Sequence, residues 1–161
     1  MIFGSTSDFS LIRRMNRELL QSIVEQEVLY YKINLETTQV NIYGETVERK
    51  YIQPVKINCL VTRGNQVMST QDFGPDMSRD VSFAFLREDL SDLVTVPEVG
   101  DIVFWQEDYY EVDVVRENQL FLGRDEKYNL TEYGQRFGAS ISIIVDTHIT
   151  RRDRVGLDKL R

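Results

Sequence analysis

The sequence predicts a mainly β domain, an antiparallel barrel or sandwich of about seven or eight strands with an N-terminal α-helix and short helical insertions. Three observations lead there. From Val28 onward, β-branched and aromatic residues crowd into short runs punctuated by glycine, proline and asparagine. Several of those runs alternate apolar and polar side chains with a period of two. No regular strand–helix alternation supports a parallel sheet.

The helix comes first. Ser7 or Asp8 can cap it, and Phe9, Ile12, Met15, Leu19, Leu20 and Ile23 recur at helical spacing, which predicts one amphipathic helix over residues 8 to about 26. Arg13, Arg14, Arg17, Glu18 and Glu25 occupy its other side and read as a solvated face.

Strands follow, through Tyr30, Tyr31 and Ile33 and then Val40, Ile42 and Tyr43 up to Gly44. Pro54 opens a further strand that places Val55, Ile57, Cys59 and Val61 on one face, and Gly64-Asn65 is expected to end it. Residues 69–80, STQDFGPDMSRD, are rich in loop formers and read as a long functional or contact loop before Val81, Phe83 and Phe85 alternate as a strand. Leu86, Leu90 and Leu93 have the spacing of a short helix, which Pro97 ends.

The clearest local signal is a hairpin. An apolar strand over 102–105, a turn at Gln106, Glu107 and Asp108, and a second strand over 109–115 predict one face shared by Tyr110, Val112 and Val114. Residues 120–123 suggest another short strand, and Asn129 with Glu132 resembles a capping box opening a short helix. Residues 140–147 read as the last core strand.

At 161 residues the chain suits one domain over 1–161, with a helical arm at 1–27, a β core at 28–149 and a basic tail at 150–161. The helix and the tail are expected to gain buried contacts on docking. Neither a secretion signal nor a membrane span is expected, because residues 1–10 hold no apolar stretch after basic residues and no run of eighteen apolar residues occurs.

Composition excludes several function classes. A net charge of −7 disfavours general phosphate binding. Cys59 is the only cysteine, so no internal disulfide is possible, and with the single His148 it cannot complete a structural zinc site. Nine scattered glycines form no phosphate-binding loop, so no cofactor is expected. His148, flanked by Thr147 and Ile149 on an apparent strand, reads as structural. Glu107-Asp108 and Glu111/Asp113 could supply the acid and base of a small acidic hydrolase. Such pairs are common in a chain with 26 Asp+Glu, so no catalytic residue is assigned and no enzyme is expected. Trp105, Tyr109 and Tyr110 read as core aromatics packed across strands.

Charge is unevenly distributed. Residues 88–113 contain nine acidic and no basic side chains, whereas residues 150–161 hold five basic against two acidic. An acidic surface and a basic tail on one small domain read either as solvated surface or, more sharply, as head-to-tail association of subunits, which closes into a ring by symmetry.

Three segments together resemble a known family. LYYKINLETTQVNIYGE (29–45) with YIQPVKINCLV (51–61), VPEVGDIVFWQEDYYEVDVV (96–115) and FGASISIIVDTHITRR (137–152) resemble the neck, or head-closure, proteins of tailed bacteriophages. The middle segment carries the pattern: Pro97, Gly100-Asp101, an apolar-aromatic strand, a polar turn, then Tyr110-Glu111-Val112. The N-terminal helix and residues 69–80 are additions to the simplest members.

The resemblance implies a virion protein at the head–tail junction, assembled in the host cytoplasm as a homo-oligomeric ring. Such a ring would lie between the portal or adaptor and the tail terminator, with DNA passing through its lumen without specific binding and no membrane involved. Together with the charge distribution, this leads to the expectation that Gln106, Glu107 and Asp108 face the lumen or an axial partner, that Arg151, Arg152 and Arg154 contact a neighbouring subunit or adjacent ring, and that Arg13 and Arg17 are further candidates for subunit interfaces. A tail terminator or a baseplate component is the alternative within the virion.

Overall fold

The computed structural model describes residues 6–36, 38–40, 46–71, 74–120, 140–151 and 155. Its centre is a closed antiparallel barrel of six strands: β1 (Glu27–Tyr31), β4 (Val55–Gln71), β5 (Gly74–Leu86), β8 (Ser140–Thr150), β7 (Asp108–Leu120) and β6 (Ile102–Trp105), in that order round the wall. Two short strands, β2 (Gln39–Val40) and β3 (Thr46–Glu48), pair apart from it. The fold is thus a barrel rather than a sandwich, and its wall has six strands instead of seven or eight. The strand expected at 120–123 is seen only as the end of β7, and its remainder and the capping box at Asn129 lie outside the described residues.

Alternation does what the sequence asks of it. Ile57 and Cys59 point into the barrel with Val55 and Val61 packed beside them, and Val81, Phe83 and Phe85 meet them from β5. Tyr30 from β1, Val103 and Trp105 from β6, Tyr110 and Val112 from β7, and Ile143 and Val145 from β8 complete the interior. Phe83 is its hub, with ring centroids 6.0 Å from Trp105 and 5.8 Å from Tyr110, both near edge-to-face. Burial pushes the Cys59 thiol up to about 12, so it is an inert core residue.

Val114 departs from the expected face. A register shift between Val112 and Val114 inserts Asp113 as a bulge, so Val114 turns out to solvent and Val115 packs inward. A smaller cluster of Tyr31, Ile102, Tyr109 and Val155 is buried on the other face of β1, β6 and β7. Val155 therefore seats part of the tail on the chain's own barrel.

The long loop expected at 69–80 is a strand hairpin. β4 continues past Gly64 to Gln71, and β5 begins at Gly74. Among the described residues, the two strands pair only with each other between Gln66 and Arg79, as a ribbon beyond the barrel wall. Pro75, opposite Thr70, is tolerated because no second strand among the described residues pairs with β5 there. Gly64 sits at the ribbon's root beside a register shift, where an added Cβ would lie 2.8 Å from the Asp80 carbonyl oxygen.

The N-terminal helix α1 (Thr6–Glu18) continues as a π-helical segment, Leu19–Val24, closed by Glu25 in the left-handed region. The short helix α2 (Arg87–Asp92) forms as Leu86 and Leu90 require, both being buried. The face that α1 turns inward is not the expected one. Arg13 and Leu20 are buried, while Leu11, Met15, Leu19 and Ile23 are 57%, 59%, 46% and 76% exposed. The acids of α2 select that orientation by offering Arg13 and Arg17 partners against the barrel.

Candidate functional site

The β6–β7 turn is tight and strained. Trp105 pairs with Asp108, leaving two residues between strands, and Gln106 and Glu107 take φ of 49° and 70°. A hairpin turn of that kind favours Asn-Gly, because each larger residue in left-handed geometry costs about 1 kcal/mol or more. Two arginines buttress it from the ribbon's root. Arg63 donates to Gln106 Oε1 at 2.8 Å and lies 5.0 Å above the Trp105 ring, and Arg79 stands 3.5 Å from Asp108. The turn and the ribbon therefore share one end of the barrel.

The acidic segment is largely neutralised within the chain. Glu88 meets Arg13 at 3.7 Å; Asp89 and Asp92 meet Arg17 at 2.9 and 2.7 Å; Glu98 meets Lys32 at 3.3 Å. Glu111 pairs with Arg49, and His148 Nδ1 lies 2.8 Å from Asp113. His148 thus sits half-exposed on the outer wall beside a carboxylate. Asp89 is raised by burial even though the Arg17 charge opposes the shift.

Asp101 is different in kind, being wholly buried. Its carboxylate accepts from the Tyr30 hydroxyl, from the Ile33 N–H at 2.8 Å and from the Glu98 N–H at 2.9 Å. Gly100 before it takes φ of 91°, and both residues hydrogen-bond the backbone of Val112. The Gly-Asp pair is a structural lock joining β1, β6 and β7. Burial raises Asp101 above the ordinary carboxylate range against those three hydrogen bonds, and it drives the Tyr30 phenol far up.

Among the residues expected at subunit contacts, Arg13 and Arg17 engage α2 of their own chain. Arg151 is exposed after β8, and Arg152 and Arg154 lie outside the described residues. Gln106 and Glu107 are exposed at the barrel's end, with Asp108 half-buried beside them. Among the described residues no group of His, Cys, Asp and Glu could hold a metal ion, and no helix is long and apolar enough to cross a membrane.

Two apolar surfaces are exposed. One is the outward row of α1 and its π-helical continuation, whose Met15, Leu19 and Ile23 belong to the apolar stripe that the sequence predicts. The other follows α2, where Leu93, Val94, Val96 and Val99 are exposed while Thr95 and Pro97 turn in. That second surface is absent from the sequence reading, and its available signal was Val94 and Val96 at alternate positions before Pro97. No protein-family model matches this sequence, and no curated protein matches it.

Proposed function

We propose that this chain is a structural protein of the tailed-phage neck, forming a ring between the portal or adaptor and the tail that closes the DNA-filled head and offers the tail a docking surface. It works by contact and not by catalysis. The observation that carries this reading is the adjacency of the three resembling segments, whose strands lie side by side in one barrel wall: β4 beside β1, β1 beside β6, β6 beside β7 and β7 beside β8. Apolar surface left open on α1 and after α2 is what an assembling subunit needs. The net charge of −7 suits a wall past which duplex DNA slides without adhering.

Immunogold electron microscopy of intact and disrupted phage particles, with an antibody raised against this chain, tests the proposal. Label confined to the head–tail junction is expected. Label at the tail tip, or none on either preparation, would overturn it.

A further inference from the structure

We infer that the outward row of α1 in one copy of this chain docks on the 93–99 segment of the next copy, so that the two apolar surfaces form a single head-to-tail contact. The inference rests on the ring reading above and names the surfaces that close it.

Both surfaces are inverted with respect to a solitary monomer. On α1 and its π-helical continuation Arg13 goes in and Leu11, Met15, Leu19 and Ile23 stay out; after α2, Thr95 goes in and Val94, Val96 and Val99 stay out. Isolated exposed residues such as Leu35 or Ile52 need no explanation, but four on one helix flank and four on one short segment do.

The 93–99 segment is also held at a cost. Val94 N–H bonds Ser91 O at 3.1 Å and Thr95 N–H bonds Leu90 O at 2.9 Å, the paired closure that ends a helix with a glycine in left-handed geometry. Here the glycine's place is taken by Val94, with φ of 52° and 91% of its surface exposed. A β-branched residue at such a backbone is a strong outlier. Glycine would relax the turn and remove a side chain that stands almost fully exposed.

The two surfaces match in charge. Asp92 and Glu98 rim the segment, with 63% and 54% of their side chains exposed despite their internal partners. Arg14, exposed beside the α1 row and without an ion pair among the described residues, carries the complementary charge. Because the two surfaces differ, the contact is heterologous and can propagate round a ring.

Full-length chain is followed by sedimentation velocity and native mass spectrometry over micromolar to millimolar concentrations, with Ile23→Glu, Val94→Glu and Val94→Gly beside the wild type. Wild type is expected to associate beyond a dimer, and each glutamate variant alone to be monomeric, its contact weakened by about a hundredfold. Mixing the two glutamate variants leaves one intact pair of surfaces and is expected to give a two-chain species that stops there. Val94→Gly is expected to raise the melting temperature while lowering association, a split that damaged folding would not produce.

A wild type that remains monomeric throughout overturns the inference. So does a two-chain wild type whose glutamate variants fail to rescue each other, since that pattern marks a symmetric contact. Head-to-tail association without gold label on particles would keep the contact and remove the neck assignment; label at the neck with failed rescue would do the reverse.

Discussion

Removing the Asp101 carboxylate should cost far more than removing the hydroxyl it holds. In Asp101→Ala, the buried Tyr30 hydroxyl and the part-buried N–H groups of Ile33 and Glu98 all lose their acceptor. An orphaned buried donor costs about 1–3 kcal/mol, less where water reaches it, so the three together come to about 3–5 kcal/mol. Tyr30→Phe removes one donor and leaves Asp101 with two, so about 1 kcal/mol is expected. Asp101→Asn keeps one oxygen but turns an amide N–H₂ toward existing donors, and falls between them. The assay is urea unfolding followed by the fluorescence of Trp105, the only tryptophan and a buried one. If Tyr30→Phe costs as much as Asp101→Ala, or if the double variant shows additive losses, the carboxylate is not the hub of these contacts.

The same group dictates a pH signature. Because burial raises Asp101, the folded chain holds its proton to higher pH than the unfolded chain does. The unfolded chain therefore binds fewer protons in that window, and the contribution of Asp101 to stability falls as pH rises from the ordinary carboxylate value to the folded one. Above the folded value it is flat. Asp101→Asn should remove that descending limb while lowering stability at every pH.

Three further outcomes are expected. Replacing Gln106 and Glu107 by Asn and Gly should stabilise the isolated chain by about 1–2 kcal/mol, read as a rise in the urea midpoint, because both positions have positive φ. Gly64→Ala should destabilise by about 1–3 kcal/mol, measured the same way, because the Asp80 backbone oxygen at 2.8 Å cannot simply swing aside. Asp146 runs opposite to Asp101: burial raises it, but hydrogen bonds from Ser82 and Arg116 and the charge of Arg116 leave it lowered. Its contribution is present above the unfolded value and lost as pH falls toward the folded one, and Arg116→Ala should shrink that loss in an acid titration of stability.

Much of the barrel was legible because alternation and burial agree in it. Val55, Ile57, Cys59 and Val61 share a face as their spacing requires, and the β6–β7 strands sit where their aromatic runs place them. The errors have separate physical causes. Gly74, Pro75 and Asp76 are loop formers by composition, yet a two-stranded ribbon accepts them as strand. The bulge at Asp113 reverses the faces after Val112, and no local pattern announces an inserted residue. Amphipathicity located α1 but not its inward side, because the carboxylates of α2 that hold Arg13 and Arg17 lie some seventy residues further along the chain. Of the site residues, the hairpin turn was legible and its arginine supports were not, since they come from another strand pair.

The residues that carry the family resemblance in the middle segment mostly serve the barrel. Pro97 and Asp101 are buried, Gly100 is left-handed, and Trp105, Tyr110 and Val112 are core. Glu111 is the exception, and it is held by Arg49 of the same chain. A Gly-Asp lock followed by an aromatic hairpin is thus a way of closing six strands, and the proposed docking contact uses other residues, on α1 and at 93–99. Substitutions in the hairpin core should therefore change stability and assembly together, whereas those on α1 and at 93–99 should separate them. A contact built on apolar surface should also survive sodium chloride that would dissolve one built on the acidic segment, where Glu88, Asp89, Asp92, Glu98, Asp108 and Glu111 already have cationic partners within the chain.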